Sequence, residues 1–410
     1  MSEEAREAGE PAAAAPLAGV RVLDIATFLA APFAGTVLAD FGAEVIKVEQ
    51  PGEGDPLRRF GTPTRAGDTL VWLSEARNKK SITLDLRTRE GADVFRRLVR
   101  VSDVVLENFR PGTLERWGLG FEALRAVNPG LVMLRISAYG QTGPMRDKPG
   151  FARIAHAFGG LTALAGEADG PPVVPGSTSL ADYISGMWGA LGVLLALRVR
   201  ERTGKGQVID VALYESIFRL LDELAPAYAM TGFVRERMGA DTVNAVPHSH
   251  YRTAGGDWVA IACTSDKMFE RLAAAMGRPQ LAASPDFATS AARVERRGEV
   301  NRMVAGWVGG LSTAEVLRLC EEWQVPCGPV NSIADIFRNP QFRARGNLLE
   351  VEDPRAGPLV LPAPVPQLSE TPAEFRSAGP ALGAHTAEVL SRLLGLDGEA
   401  LRELARAGAI

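Results

Sequence analysis

Strand, helix and strand follow one another at the head of this chain within about 30 residues, the signature of a βαβ unit. Val20–Ile25 (VRVLDI) alternates branched apolar residues, Ala31–Asp40 has a helical pattern, and Gly42–Glu49 (GAEVIKVE) reads as a second strand. Such a unit commits the chain to a parallel sheet, because parallel neighbours need a crossover and the crossover lays a helix on the sheet. Further strands are expected at Ser81–Leu84, Asp103–Glu107, Leu131–Ile136 and Val208–Val211, with a helix over Thr88–Val101. The expected fold class is therefore α/β, a Rossmann-like parallel sheet with helices on both faces.

After Val211 the pattern changes. A long helix is expected over Tyr214–Thr231, then an irregular stretch, Val234–Ser249. A hairpin at Tyr251–Ala262 has a two-glycine turn. Helices at Lys267–Met276, Arg293–Val308 and Thr313–Trp323 complete a smaller α+β domain, and 410 residues are enough for two cores. Helices at Thr386–Leu394 and Gly398–Arg406 close the chain. Residues 1–15 are acidic and alanine-rich, with no basic start, and read as a disordered tail rather than a signal peptide. A net charge of −4 gives no reason to expect a nucleic-acid or membrane partner. Cys263, Cys320 and Cys327 lack metal-ligand spacing, so no metal is expected and a reducing cytoplasm fits.

The chemistry is expected around Asp182, at the head of a small-residue apolar run whose centre, Met187–Leu197, reads as a buried helix too short to span a bilayer. Its bland reading is a helix-start carboxylate. The sharper reading is a carboxylate that does chemistry at a helix mouth, where unpaired N–H groups favour negative charge. Phe28–Pro32, Glu107–Gly112 and Tyr139–Pro144 each follow a strand, so all should lie along the carboxyl edge where open α/β sheets bind ligands. The first lacks G-x-G-x-x-G. Arg77–Lys80 (RNKK), before a strand, is either a solvated patch or a phosphate site.

Eight segments then carry a resemblance: GAEVIKVEQPGEGDPLR, RNKKSITLDL, ENFRPGTLERWGLG, YGQTGP, LADYISGMWGALG, RTGKGQVIDVALYES, VPCGPVNS and LGAHTAEVL. In this order they resemble the class III coenzyme A transferase family (CaiB/BaiF), which includes formyl-CoA and carnitine CoA transferases. The resemblance implies a large domain from both chain ends (16–213 and 350–410) with linkers and a small domain inserted at 214–349, its core about 245–335. It implies an interlocked dimer, a homodimer or a pairing with a paralogue. It places the nucleophile on Asp182 and the CoA-contacting positions on Leu29, Ala30, Gln50, Arg77, Asn78, Lys79, Lys80, Asn108, Phe109, Arg110, Arg116 and Tyr139. CoA thioesters enter as substrates, with no permanently bound cofactor and no metal. Formyl-CoA transferase has glutamine at Leu29 and arginine at Gln50, and a glycine-rich loop where this chain reads NAVPHSHY; these departures tell against formate and oxalate. Across LADYISG, SEARNKKS and NAVPHSHYRT the chain is most similar to succinyl-CoA:malate CoA transferases and their citramalate and itaconate relatives.

That resemblance implies CoA transfer through an aspartyl anhydride and an aspartyl-CoA thioester at Asp182, with backbone N–H groups near Ser179–Ala181 or Gly140 at the oxyanion. Gln141, His248, His250 and Arg252 are expected at the acceptor acid. Two alternatives stand beside it. An α-methylacyl-CoA racemase of the same fold needs a histidine where this chain has Phe151, and His156, five residues on, is expected to pack on a helix instead. A non-catalytic CoA-binding subunit of a hetero-oligomer is the other.

Overall fold

The computed structural model of the protein describes residues 15–410, and residues 1–14 of the expected tail lie outside it. The chain forms two compact units: 15–161, 176–223 and 346–410 make the first, and 162–175 with 224–345 the second.

Beside a hairpin of Leu348–Asp353 and Gly357–Pro362, the first unit holds six strands: β1 (Arg21–Asp24), β2 (Glu44–Glu49), β3 (Lys79–Thr83), β4 (Val104–Glu107), β5 (Val132–Ser137) and β6 (Val208–Ala212). They form one parallel sheet in the order β3-β2-β1-β4-β5-β6. Helix α1 (Ala30–Asp40) crosses from β1 to β2, and α2 (Arg89–Arg100) from β3 to β4. Alternation then sorts the side chains. Val22, Leu106, Leu134 and Ile136 join Ala34 and Leu38 of α1 in one core layer, while Leu23, Val105 and Met133 join Phe95 and Leu98 of α2 in the other. Val389 and Leu390, on the C-terminal helix Thr386–Leu394, lie in the second layer, so residues from both ends of the chain cover the sheet.

The first layer is completed by α3 (Ala152–Phe158) and α4 (Leu180–Thr203). A side chain at Gly186 would meet the Ala30 carbonyl at 2.6 Å, and one at Gly189 would meet Leu134 at 2.6 Å, so these glycines let α4 sit close to α1 and β5. The 24-residue α4 has the length and composition to cross a membrane, yet its small-residue face is buried in this layer. Its other face departs from the expected buried helix: Met187, Trp188, Leu191, Leu194 and Leu195 are exposed. The expected Tyr214–Thr231 helix is two, α5 (Leu213–Phe218) and α6 (Leu224–Thr231), separated where Asp222 takes a left-handed φ of 44°.

The second unit has an antiparallel sheet, β7 (His248–Arg252), β8 (Trp258–Ala262) and β9 (Cys327–Pro329), in that order. Its core gathers Tyr251, Val259, Ile261, Leu272, Val304, Val308 and Val316. The expected Arg293–Val308 helix breaks at Arg296 into Ser290–Glu295 and Arg297–Gly309. Arg293 is wholly buried there, donating to the Val246 and Phe287 carbonyls at 2.8 Å each and pairing with Asp266 at 2.9 Å.

Candidate active site

The strand order reverses between β1 and β4, the place at the carboxyl edge where open α/β sheets bind ligands. The loops after these two strands are locked together. Thr27 N–H donates to Asn108 Oδ1 at 2.8 Å, and Asn108 Nδ2 returns a bond to the Thr27 carbonyl at 2.7 Å. Phe28 takes a left-handed φ of 60°, a strained conformation for a non-glycine residue. Its N–H donates to Asp55 Oδ1 at 3.0 Å, and Asp55 is held by buried Lys47 at 2.8 Å. Lys47 also faces Asp24 at 3.5 Å, and Lys79 pairs with Asp24 at 3.0 Å. Burial pushes the Asp24 carboxyl up, but Lys47 and Lys79 outweigh it and keep the group below its ordinary range. A buried ion network thus underlies the loop that opens the site.

Two cavities follow this edge, of about 230 and 250 Å³, and both are lined by Thr27 and Phe109. Asp182 lines the first, with Phe28, Leu29, Ala30, Asn108, Arg110, Arg146, Lys148 and Phe151. It is the third residue of α4, and among the described residues its carboxylate accepts no hydrogen bond. Burial pushes its pKa up from 3.8 to about 7. Three cations line the cavity with this poorly solvated carboxylate. The second cavity is bounded by Gln50, Leu84, Asp85, Leu86, Arg87 and Trp117. Arg87 is bidentate on Asp85 at 2.9 Å, which with Gln50 at 3.0 Å holds that carboxyl well below its ordinary range. Phe109 and Trp117 meet edge to face, their centroids 5.4 Å apart.

Of the expected site residues, Asp182, Leu29, Ala30, Gln50, Asn108, Phe109 and Arg110 line these cavities. The RNKK segment does not: Arg77 and Asn78 lead into β3, which begins with Lys79 and Lys80, at the opposite edge of the sheet. Arg77 is buried and bidentate on Asp40, with Nη2 at 2.6 Å. Asn78 donates to Asp40 and to the Glu374 carbonyl at 2.8 Å each, and accepts the Arg376 N–H at 2.6 Å. Lys79 is buried on Asp24, and Lys80 pairs with Glu388 at 2.6 Å near the surface. The turn fastens the C-terminal segment to the first βαβ unit.

Arg116 is exposed and donates to Thr113 at 3.0 Å, lining neither cavity. Tyr139 packs on Phe158 and Tyr214, and the Gln141 N–H bonds Asp210 at 3.0 Å. His248, His250 and Arg252 lie on β7 in the second unit, where Arg252 donates to Gly256 across the hairpin turn at 3.3 Å. The Ala181 N–H, expected among the oxyanion donors, is taken by His156 Nε2 at 2.9 Å. Arg87, Arg146, Lys148 and Trp117 are additions. Arg87 had a readable signal, since it lies four residues past the end of β3, on the carboxyl side where Asn108 follows β4.

A buried carboxylate that shares a cavity with three cations at a sheet's switch point suits covalent transfer chemistry on an anionic substrate. The signature of CoA-transferase family III matches residues 17–386, and the chain belongs to that family. It is 56% identical over 391 residues to the succinyl-CoA–L-malate CoA-transferase beta subunit of Chloroflexus aurantiacus, covering 95% of this chain and 96% of that one. The alpha subunit is 54% identical over 390 residues, covering 95% and 91%. The succinyl-CoA–D-citramalate CoA-transferase of that organism is 48% identical over 381 residues, covering 93% and 94%. A CAIB/BAIF family protein from Brucella suis superposes with a TM-score of 0.81 at 35% identity, over 92% and 99% of the two chains. The protein is thus a CoA transferase whose substrates are CoA thioesters and carboxylic acids.

Proposed function

We propose that this enzyme moves CoA from succinyl-CoA to a short acid, L-malate or citramalate, through covalent catalysis at Asp182. The names of its relatives support the acids. The observation that carries the mechanism is the Asp182 carboxylate, desolvated and without a hydrogen bond among the described residues, in a cavity that also holds Arg110, Arg146 and Lys148.

One Asp182 oxygen attacks the thioester carbon of succinyl-CoA, and the C–S bond breaks to give a succinyl-aspartyl anhydride and CoA thiolate. The thiolate attacks the Asp182 carbonyl, forming an aspartyl-CoA thioester and expelling succinate. The acceptor carboxylate then attacks that thioester, and the returning thiolate takes the acyl group of the second anhydride, freeing Asp182. Atoms balance with no redox or proton step. The CoA phosphates are met by Arg87, Arg110, Arg146 and Lys148, since charge-assisted bonds to phosphate are the strong ones. Buried surroundings limit hydrolysis of the anhydride. Phe151 stands in the cavity where a racemase needs an imidazole, and a phenyl ring transfers no proton.

The enzyme works as an interlocked dimer or with a paralogous subunit. Support comes from the apolar outer face of α4, larger than isolated surface residues explain, and from relatives named as alpha and beta subunits. Light scattering of the purified chain tests this, and a stable monomer contradicts it. The function is tested by incubating the chain with succinyl-CoA and a panel of acids, reading CoA products by mass spectrometry. Malyl-CoA or citramalyl-CoA is expected. No transfer by the chain alone, restored by a paralogue, favours the non-catalytic subunit, and α-proton exchange in deuterated water favours the racemase.

A further inference from the structure

A side chain outside the cavity holds the backbone amide next to Asp182. His156 on α3 is 0% exposed, and its Nε2 accepts the N–H of Ala181, the residue before Asp182, at 2.9 Å. The N-cap residue of α4, Ser179, makes no side-chain cap bond. An imidazole therefore stands where a cap oxygen ordinarily does. An accepting Nε2 carries no proton, so the ring hydrogen is on Nδ1. Nδ1 is buried and has no hydrogen-bond partner among the described residues. A buried orphan donor costs more than an ordinary hydrogen bond contributes. The arrangement therefore does little for stability and asks for another explanation.

First-turn N–H groups of a helix lack intrahelical partners and take whatever acceptor is near. The carboxylate at the third position of α4 is an anionic acceptor one residue along from the Ala181 amide. We propose that His156 is a positioning residue for CoA transfer: by holding the Ala181 N–H, it keeps that donor off the Asp182 carboxylate and leaves the carboxylate free to attack. The inference rests on Asp182 as the nucleophile. A carboxylate that accepts a backbone N–H bond is a weaker base and a weaker nucleophile. The ionisable groups around Asp182 are Tyr183 on α4, Arg110 after β4, and Arg146 and Lys148 after β5. None takes the Ala181 amide. Burial and the nearby Arg153 hold the His156 pKa below its ordinary value, so the ring remains a neutral acceptor through the neutral range.

The test compares His156→Leu, His156→Gln and Asp182→Ala in transfer from succinyl-CoA, with kcat, KM and pH profiles for each. Leucine removes the acceptor and glutamine keeps one. His156→Leu should lose about tenfold in kcat, one hydrogen bond's worth at about 1.4 kcal/mol per decade. Its KM for succinyl-CoA should stay unchanged, and the acid limb of its kcat profile should move to lower pH. His156→Gln should recover both kcat and the limb. Unchanged kcat in His156→Leu, or equal losses in both His156 variants with the limb unmoved, would overturn the proposal. If Asp182→Ala is inactive while His156→Leu is normal, only this inference falls; if Asp182→Ala is active, the nucleophile assignment falls with it. Nitrogen-15 spectra of the imidazoles give a check independent of any variant, since the chain has only four histidines. His156 should appear as the neutral Nδ1–H tautomer at pH 7, and an Nε2–H tautomer or an imidazolium would overturn the assignment.

Discussion

Replacing Asp182 with asparagine should abolish transfer and, at alkaline pH, make the protein more stable. The carboxyl is raised by burial from 3.8 to about 7 in the fold. A carboxyl whose folded pKa lies above its unfolded value binds its proton more tightly when folded. Its contribution is fully present below pH 3.8 and is lost as pH rises through 7. Asparagine does not titrate, so it escapes this loss. At about 1.36 kcal/mol per pH unit, the variant's advantage grows from about 1.5 kcal/mol at pH 5 to about 4 kcal/mol at pH 8. Urea unfolding of both proteins at the two pH values measures the difference directly. An advantage that is absent at pH 8, or equal at both pH values, refutes the claim that Asp182 is a desolvated, unbonded carboxylate.

Other substitutions separate the cavity from the frame. Arg87→Ala and Arg110→Ala should each raise the KM for succinyl-CoA about ten- to a hundredfold with little change in kcat, because phosphate contacts bind ground and transition states alike. An unchanged KM in steady-state assays removes either residue from the CoA site. Lys80→Ala should leave that KM unaltered, since its ammonium is already paired with Glu388 away from both cavities; a raised KM reinstates it as a contact. Arg77→Ala should cost about 3–5 kcal/mol in urea unfolding by leaving Asp40 buried without its partner, and a loss under 1 kcal/mol contradicts that reading.

The sheet was legible because branched apolar runs such as VRVLDI and GAEVIKVE satisfy only a strand pattern. Residues after strands, Asn108 and Arg110 among them, were placed by the rule that open α/β sheets bind ligands at their carboxyl edge. Arg77–Lys80 were picked out by charge density and not by which end of the strand they flank, and they line neither cavity. Applied to the whole of RNKKSITLDLR, the edge rule selects Arg87. Arg293 was hidden for a related reason: a charged residue reads as surface, and only the tertiary fold brings the Val246 and Phe287 carbonyls that let it be buried. The break near Asp222 falls where one compact unit gives way to the other, and Pro226, in the first turn of α6, was its readable signal.

The central claim is that Asp182 becomes covalently linked to CoA during each turnover. Incubating the enzyme with succinyl-CoA alone, quenching in acid and mapping the digest by mass spectrometry tests it most directly. The peptide carrying Asp182 should gain the mass of CoA less water, and hydroxylamine should convert that adduct to a hydroxamate at the same residue. An unmodified Asp182 in enzyme that is turning over, or an adduct on a different carboxylate, would contradict the account.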